Sequence, residues 1–291
     1  MLIGAHVSVA HGYLAALDYA QSVGAECIQI FAKSPRQWHG SPVDPEAAAT
    51  FVAERKARAF GPVFTHTAYL INLGTDDQVL RQRSIAALAD ELVRATLLRA
   101  DGVVTHLGND PLDDSDAAAL RIAEAIVAAY ALAGEAGAAS RLLLENTAGA
   151  GRSFGSTFEQ LGACVSATGL GPERLGVCFD TCHAFAYGMG VDTATGWRET
   201  ICQLESHVGV ARLGLIHAND CLFERGSKRD RHAWIGDGFI GREGFQAMLD
   251  APEIRDVPAG LEMPGEVPVK DAANIERLKV CRSERRTPDG G

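Results

Sequence analysis

The chain has 291 residues, a length that one large α/β domain can reach, so it does not require a second domain. Hydrophobic residues make up 47% and charged residues 22% of the chain, which excludes a disordered or fibrous protein. The net charge of −10 excludes general electrostatic binding to nucleic acid, so an anionic ligand would have to be attracted locally.

The beginning of the chain and its cysteines indicate a cytoplasmic protein. Residues 1–6 lack the basic segment and apolar run of a secretion signal, and we expect no segment apolar enough to span a bilayer. The seven cysteines do not form paired Cys-x-x-Cys motifs, so we expect reduced thiols, and we interpret Cys178 and Cys182 as buried free cysteines. We therefore expect a cytoplasmic monomer without membrane contact.

Short apolar runs alternate with longer amphipathic or Ala-rich segments along the whole chain. The predicted strands are residues 2–7, 27–31, 63–66, 102–106, 142–145, 176–179, 213–217 and 259–262. The predicted helices are residues 13–23, 45–59, 78–100, 115–133, 157–168, 196–208, 242–249 and 269–280. Eight such units predict a single α/β domain, a (β/α)₈ TIM barrel, over residues 1–281. Residues 282–291 are polar, and we expect a disordered tail there.

A residue of a type that binds metal ions ends strand after strand. These residues are His66, His106, Glu145, Asp180, His217 and Glu262. The intervals between them are 40, 39, 35, 37 and 45 residues, or one βα unit each. In a barrel they would converge on the C-terminal face of the strands, where active sites of this fold lie. His183 and the pair Asp230 and His232 complete a set of nine candidate ligands.

Imidazoles and carboxylates suit Zn²⁺, with Mn²⁺ as the alternative at some positions. About three protein ligands per ion leave positions open for water or substrate, so nine ligands predict two or three ions. A carboxylate shared by two ions would hold them at the spacing used for hydrolysis of phosphoesters. A single His or Glu at a strand end is more often a structural residue, but six in matching positions are not independent accidents. We interpret His6 as a supporting residue rather than a ligand.

Several motifs across nearly the whole chain resemble the endonuclease IV family of apurinic/apyrimidinic endonucleases, which are DNA-repair enzymes. The motifs are Gly4-Ala-His-Val-Ser8, Phe31-Ala-Lys-Ser-Pro-Arg-Gln-Trp38, His66-Thr-Ala-Tyr-Leu-Ile-Asn-Leu-Gly74, Leu144-Glu-Asn-Thr-Ala148, Gly176-Val-Cys-Phe-Asp-Thr-Cys-His-Ala-Phe185, His217-Ala-Asn-Asp220, Asp230-Arg-His232 and Leu261-Glu262. The block from Asp180 to Phe185 and the Asp-x-His motif are the most specific of these.

The resemblance implies a site with three zinc ions per chain and assigns each ligand. His66 and His106 would bind the first ion. The second ion would have Asp180, His217 and Glu262, and the third His183, Asp230 and His232. Glu145 would bridge the first two ions and is the residue on which catalysis depends. The implied reaction is hydrolysis of the phosphodiester 5′ to an abasic site in duplex DNA by a metal-bound hydroxide, leaving a 3′-hydroxyl.

Recognition of an abasic site requires side chains that enter the minor groove and fill the space of the missing base. By the resemblance, Arg36, Tyr69 and Leu70 would be those groups. Lys228, Arg229 and Arg231 form a basic cluster next to two candidate ligands, which favours contact with phosphate, although a solvated loop is a nearly equal interpretation.

The chain departs from the family pattern at four positions, which are His11, Ser34, Leu107 and Met263. None of these departures removes a candidate ligand, so they concern loop geometry and DNA affinity. The main alternative function is a xylose-isomerase-like sugar isomerase or epimerase with a single metal ion at Glu145, Asp180, His217 and Glu262. That alternative leaves the other five candidate ligands unexplained. A DNA-binding protein that uses the ions only structurally is a third hypothesis.

Overall fold

The computed structural model describes residues 1–284 and contains ten strands in that range. In chain order they are β1 Ile3–Val7, β2 Ile28–Phe31, β3 Val63–His66, β4 Gly102–Thr105, β5 Leu142–Glu145, β6 Leu175–Asp180, β7 Leu213–His217, β8 Asp220–Cys221, β9 His232–Ala233 and β10 Ala259–Leu261. All except β8 and β9 form a closed parallel barrel, in which β1 pairs with both β2 and β10. The predicted TIM barrel is therefore confirmed.

Helices follow the barrel strands along the chain. They are α1 Tyr13–Ser22, α2 Pro45–Ala57, α3 Gln78–Leu97, α4 Ser115–Gly137, α5 Phe158–Thr168, α6 Thr181–Tyr187, α7 Ala194–His207, α8 Gly241–Asp250 and α9 Val269–Ser283. Several begin at a side chain that caps the free backbone N–H groups of the first turn. Asp77, for example, accepts hydrogen bonds from the N–H groups of Val79 and Leu80 at the start of α3.

The barrel strands are short and apolar because both of their faces are covered. Every residue of β3, β4, β5 and β6 is buried. One face of each strand packs against the helices in the main core, and the other faces the barrel interior. This arrangement leaves the ends of the strands as the places where polar side chains can gather.

Helix α4 corrects one expectation from the sequence. By length and composition it is apolar enough to cross a membrane, whereas we expected no such segment. In the structure α4 packs between α3 and α5 as an outer helix of the barrel, and half of its most apolar window is buried. Its regular backbone is interrupted at Gly134, where φ is 55°, next to the predicted helix end at residue 133.

The short helix α6 and the two strands β8 and β9 were absent from the predictions. The last helix, α9, extends through Ser283, so the first two residues of the expected tail are helical. Arg282 forms an ion pair with Glu26 at 2.7 Å, which ties this helix to the segment between α1 and β2. The rest of the expected tail, residues 285–291, lies outside the described residues.

Candidate metal centre

Five of the six candidate ligands at the strand ends face the barrel axis because each follows an interior apolar residue by two positions, and Glu262 follows Gly260 in the same way. Phe64 precedes His66 in this way, and Leu143 precedes Glu145. The interior residues form one buried cluster, made of Phe64, Val104, Leu143, Cys178 and Leu215. Since residues i and i+2 of a strand share a face, the ligand-type side chains lie directly above this cluster. They converge at the C-terminal ends of the strands, as predicted.

The first group of converging side chains comprises His66, His106 and Glu145, each with a ligand atom within 4.8 Å of the others. Nε2 of His66 lies 3.1 Å from Oε2 of Glu145, and Nε2 of His106 lies 3.5 Å from the same oxygen. His66 and Glu145 are buried, whereas the His106 side chain is 31% exposed. The group is therefore accessible from the side of His106.

The second group comprises Glu145, Asp180, His217 and Glu262. Nδ1 of His217 lies 2.8 Å from Oε1 of Glu145, 3.5 Å from Oε2 of Glu262 and 3.9 Å from Oδ2 of Asp180. Glu145 thus belongs to both groups, with one carboxylate oxygen in each. This is the geometry expected of a carboxylate that bridges two cations.

The third group comprises His183, Asp230 and His232. Nε2 of His183 lies 3.2 Å from Oδ2 of Asp230, and Nε2 of His232 lies 3.4 Å from Oδ1. Half of the Asp230 side chain is exposed, so this group is the most open of the three. All nine candidate ligands predicted from the sequence therefore lie in one cluster.

Backbone hydrogen bonds orient three of the five imidazoles. Nδ1 of His66, His183 and His232 lies 2.8, 2.9 and 2.8 Å from the carbonyl oxygens of Thr67, Asn146 and Glu262, respectively. A carbonyl oxygen can only accept a hydrogen bond, so Nδ1 carries the proton in each ring. Nε2 then faces the cluster, and on loss of its proton it would offer a lone pair, which is the arrangement of imidazoles that bind metal ions.

Asp180, itself a candidate ligand, and the adjacent Asn219 hold candidate ligands from different segments. Asp180 caps α6, because its Oδ1 accepts the N–H of His183 at 2.7 Å. Its Oδ2 accepts a hydrogen bond from Nδ2 of Asn219 at 2.6 Å, and Oδ1 of Asn219 accepts the N–H of Glu262 at 2.8 Å. The hairpin of β8 and β9 places Cys221 opposite His232. The positions of the third group therefore depend on α6 and on this hairpin.

Burial and neighbouring charges strongly shift the pKa values of several side chains in the cluster. Burial alone would raise the pKa of Glu145, but the His106 and His217 imidazoles hold this pKa well below its ordinary value. Burial lowers the pKa of His106 to about 4. Burial also opposes protonation of His183, but the Asp180 and Asp230 carboxylates raise its pKa to about 10. The carboxylates thus attract protons to nearby imidazoles, and a divalent cation would compete for the same positions.

Of the predicted DNA contacts, Tyr69 and Leu70 line a cleft together with candidate ligands. Arg36, Tyr69, Lys228, Arg229 and Arg231 are exposed, and Leu70 is partly buried. Tyr69 is 62% exposed, and its ring centroid lies 5.8 Å from that of His66. The Arg229 guanidinium instead stacks on the Phe223 ring at 3.4 Å from the centroid.

Two open clefts meet at Tyr69 above the cluster. One, of about 530 Å³, is lined by Tyr69, Leu70, His106, His183 and Asp230, among other residues. The other, of about 750 Å³, is lined by residues that include Tyr69, Ser34, His232, Glu262 and Met263. An extended ligand that crosses both clefts would therefore pass over the candidate ligands with Tyr69 at its middle.

The sequence predictions assigned no role to several residues that the structure places against the ligands. Asn146 and Asn219 lie within motifs that resemble the endonuclease IV family, and this position in the sequence could have indicated a supporting role. Gln29 lies in an apolar strand without such a signal, and its amide contacts both His217 and Glu262. His6, interpreted as a supporting residue, has Nδ1 at 3.1 Å from Oε1 of Glu262.

The four departures from the family pattern also have defined positions. His11 and Ser34 are exposed, which places them at the surface of loops. Leu107 is fully buried, and its carbonyl accepts hydrogen bonds from the N–H groups of residues 73 and 74. Met263 is buried in the wall of the larger cleft. The departures leave the nine candidate ligands clustered.

Comparison with known proteins agrees with this geometry. A family model described as a xylose isomerase-like TIM barrel matches residues 17–281. The chain is 40% identical over 279 residues to a probable endonuclease 4 from Chloroflexus aurantiacus, covering 95% of this chain and 96% of the relative. It is 39% identical over 279 residues to a probable endonuclease 4 from Methanoculleus marisnigri, covering 96% of this chain and 98% of the relative.

A solved structure of endonuclease IV from Thermus thermophilus is similar with a TM-score of 0.86 and 36% identity, covering 98% of this chain and all of that one. The fold and the cluster thus define a xylose isomerase-like TIM barrel with side chains suited to bind divalent metal ions. The chain belongs to the endonuclease IV family of apurinic/apyrimidinic endonucleases.

Proposed function

We propose that this protein is a DNA-repair endonuclease that hydrolyses the phosphodiester 5′ to an abasic site in duplex DNA and leaves a 3′-hydroxyl. One observation carries the proposal: three groups of candidate ligands lie together, and Glu145 is shared by two of them. The relatives and the solved structure named endonuclease support the same class of reaction.

The donor atoms fit a cluster of three zinc ions, with Mn²⁺ as the alternative at some positions. Each group combines imidazole and carboxylate donors, which both cations accept. His66 and His106 would hold one ion. Asp180, His217 and Glu262 would hold a second, and His183, Asp230 and His232 a third, while Glu145 bridges the first two. When bound, such ions would polarise a phosphodiester and favour ionisation of water near neutral pH.

The chain itself determines how a substrate reaches this cluster. His217 and Asp180 are buried, whereas His106 and Asp230 are exposed enough to face a bound phosphate. We infer that the cleaved phosphate lies on the open side between these two residues. Glu145, at the buried centre, would hold the catalytic cluster together through both of its oxygens.

The surface around the clefts has the residue types needed to recognise an abasic site. The exposed Tyr69, with Leu70 and Arg36, would enter the minor groove and occupy the space of the missing base. Lys228, Arg229 and Arg231 would contact phosphates. Because the net charge of the chain is −10, we attribute the attraction of DNA to the cations and to these few residues. We also propose a cytoplasmic monomer with one domain over residues 1–281.

A sugar isomerase with a single ion at Glu145, Asp180, His217 and Glu262 is the alternative within this fold. It would use only the second group. The arrangement of His183, Asp230 and His232 around a common point favours the endonuclease, because an isomerase of this kind needs no third group.

Incision of a labelled duplex that contains one abasic analogue tests the proposal. We expect a single product whose 3′ end a DNA polymerase extends, and metal analysis near three ions per chain. Glu145→Gln should abolish incision, whereas Glu124→Gln, at a 73% exposed side chain of α4, is the matched control. Wild-type incision by a folded Glu145→Gln protein would contradict the role of Glu145. One ion per chain together with sugar isomerisation would support the alternative.

A further inference from the structure

Gln29, on β2, is a buried amide that contacts two residues of the second ligand group. The residue is only 1% exposed. Its Oε1 lies 2.8 Å from Nε2 of His217, and its Nε2 lies 2.8 Å from Oε1 of Glu262. One side chain on β2 therefore contacts the last residue of β7 and the residue that follows β10.

The chemistry of these partners determines the orientation of the amide. An ionised carboxylate only accepts hydrogen bonds, so the NH₂ end of Gln29 must face Glu262. The oxygen of Gln29 then faces His217 and accepts a hydrogen bond from its Nε2–H.

This hydrogen bond requires a proton on Nε2 of His217, whereas in its neighbours the hydrogen bond to a fixed acceptor is made by Nδ1. In His66, His183 and His232, Nδ1 lies against a backbone carbonyl and Nε2 faces the cluster. In His217, Nε2 faces Gln29, and Nδ1 lies 2.8 Å from Oε1 of Glu145. Gln29 thus supplies for His217 the acceptor that backbone carbonyls supply for the other three rings.

The same amide also orients the carboxylate of Glu262. Oε1 accepts the hydrogen bond from Gln29, which leaves Oε2 at 3.5 Å from Nδ1 of His217. Gln29 thus contacts both ligand residues, and Nδ1 of His6 lies 3.1 Å from the same oxygen of Glu262. Groups that fix the orientation of metal ligands in this way typically change metal affinity by about 10–100-fold when they are removed.

We propose that Gln29 is a positioning residue that tightens binding of one cation, the ion held by the second ligand group. It does so by holding His217 in the Nε2–H tautomer and by presenting Oε2 of Glu262. The inference rests on the proposed function, because it assumes that the cluster binds metal ions.

Zinc titration of the metal-free protein against a competing chelator tests this role. In Gln29→Leu we expect one of the bound ions to weaken by about 10–100-fold while the others keep their affinities. Thr65→Val is the matched control, because Thr65 is buried on β3, and within the described residues its hydroxyl has no hydrogen-bond partner. Excess zinc should restore incision by Gln29→Leu but not by Glu145→Gln.

Nitrogen NMR of the zinc-loaded protein gives a readout that does not depend on activity. We expect a slowly exchanging proton on Nε2 of His217 in the wild type, and fast exchange of this proton in Gln29→Leu. A proton on Nδ1 of His217 in the wild type would overturn the inference. If Gln29→Leu does not fold, Gln29→Asn decides the question, since its shorter amide cannot reach both partners.

The outcomes separate this inference from the proposed function. Three ions in the wild type with unchanged affinities in both Gln29 variants overturn the role of Gln29 and leave the function standing. Fewer than three ions in the wild type contradict the proposed cluster, and the affinity of any remaining ion in the variants still tests Gln29. A wild type that binds no zinc overturns both.

Discussion

Nζ of Lys33 and Oε1 of Glu91 lie 3.4 Å apart, and each side chain is only 1% exposed. Asp90 lies 2.8 Å from the same ammonium, and Arg94 and Tyr13 also face Glu91. Burial raises the pKa of Glu91 to about 7, although Lys33 opposes this shift. A buried carboxyl group on α3 therefore titrates near neutral pH.

This raised pKa predicts a pH-dependent loss of stability. The ordinary pKa is 4.5, so the folded state binds the Glu91 proton more tightly than the unfolded state. The resulting stabilisation is complete below pH 4.5 and is lost as the pH rises through 7. Glu91→Gln cannot lose a proton at this position, so this loss disappears. The free energy of unfolding of the variant, relative to that of the wild type, should therefore rise by about 2 kcal/mol between pH 5 and pH 8.

Urea unfolding at pH 5 and at pH 8 measures this difference in the free energy of unfolding. Glu124→Gln, on the surface of α4, is the control and should follow the wild type. If the free energies of unfolding of Glu91→Gln and the wild type differ by the same amount at pH 5 and at pH 8, Glu91 does not titrate in this range.

Arg94 links the same buried ion cluster to the segment that carries Arg36. Its guanidinium donates hydrogen bonds to the backbone carbonyls of Ser41 at 2.8 Å and Gly40 at 3.1 Å. Arg94→Met removes these bonds, so we expect faster amide hydrogen exchange in residues 32–41 and weaker binding of abasic DNA. Arg81→Met, at the ion pair with Glu124, is the control. Unchanged exchange in this segment would refute the anchoring role of Arg94.

The barrel and the six clustered side chains at its strand ends were predictable because strand geometry repeats every two residues. An apolar residue such as Val104, followed two positions later by His106, already shows which face a polar side chain occupies. The regular spacing of the units then indicates that the strand ends converge. Local pattern and global fold agree for these residues, so sequence alone was sufficient.

The supporting residues could not be predicted, because their roles depend on contacts between distant segments. Gln29 is a polar residue inside an apolar strand, and only closure of the barrel brings it to His217 and Glu262. Helix α6 has seven residues and starts directly at its cap, Asp180, so it has no helical period long enough to detect. Strands β8 and β9 have two residues each.

Asp220 holds the loop that follows β9, and its amide variant should loosen that loop. Oδ2 of Asp220 accepts the N–H groups of Gly236 at 2.9 Å and Gly238 at 3.0 Å, and Oδ1 accepts that of Ile240 at 3.0 Å. In Asp220→Asn an NH₂ group must face some of these donors. We expect a loss of roughly 2–3 kcal/mol in unfolding free energy.

Thermal and urea unfolding of the metal-free protein measure that loss, with Asp237→Asn as the control because its side chain is 58% exposed. We also expect Asp220→Asn to weaken zinc binding, because Asp220 pairs with Ala233, the neighbour of His232. Stability equal to that of the wild type would contradict this account of Asp220.

Tyr69 gives a prediction that separates DNA recognition from the chemistry of the cluster. Its ring is 62% exposed and lies edge-on to Phe31, with ring centroids 5.6 Å apart, so its removal leaves a hole in the cleft wall but none in the core. Tyr69→Ala should bind zinc like the wild type and weaken binding of an abasic duplex by about 10-fold or more, the loss of one stacking contact. Tyr69→Phe, which keeps the ring, should retain most of the affinity. Equal DNA affinity in Tyr69→Ala and the wild type would exclude insertion of this ring at the lesion.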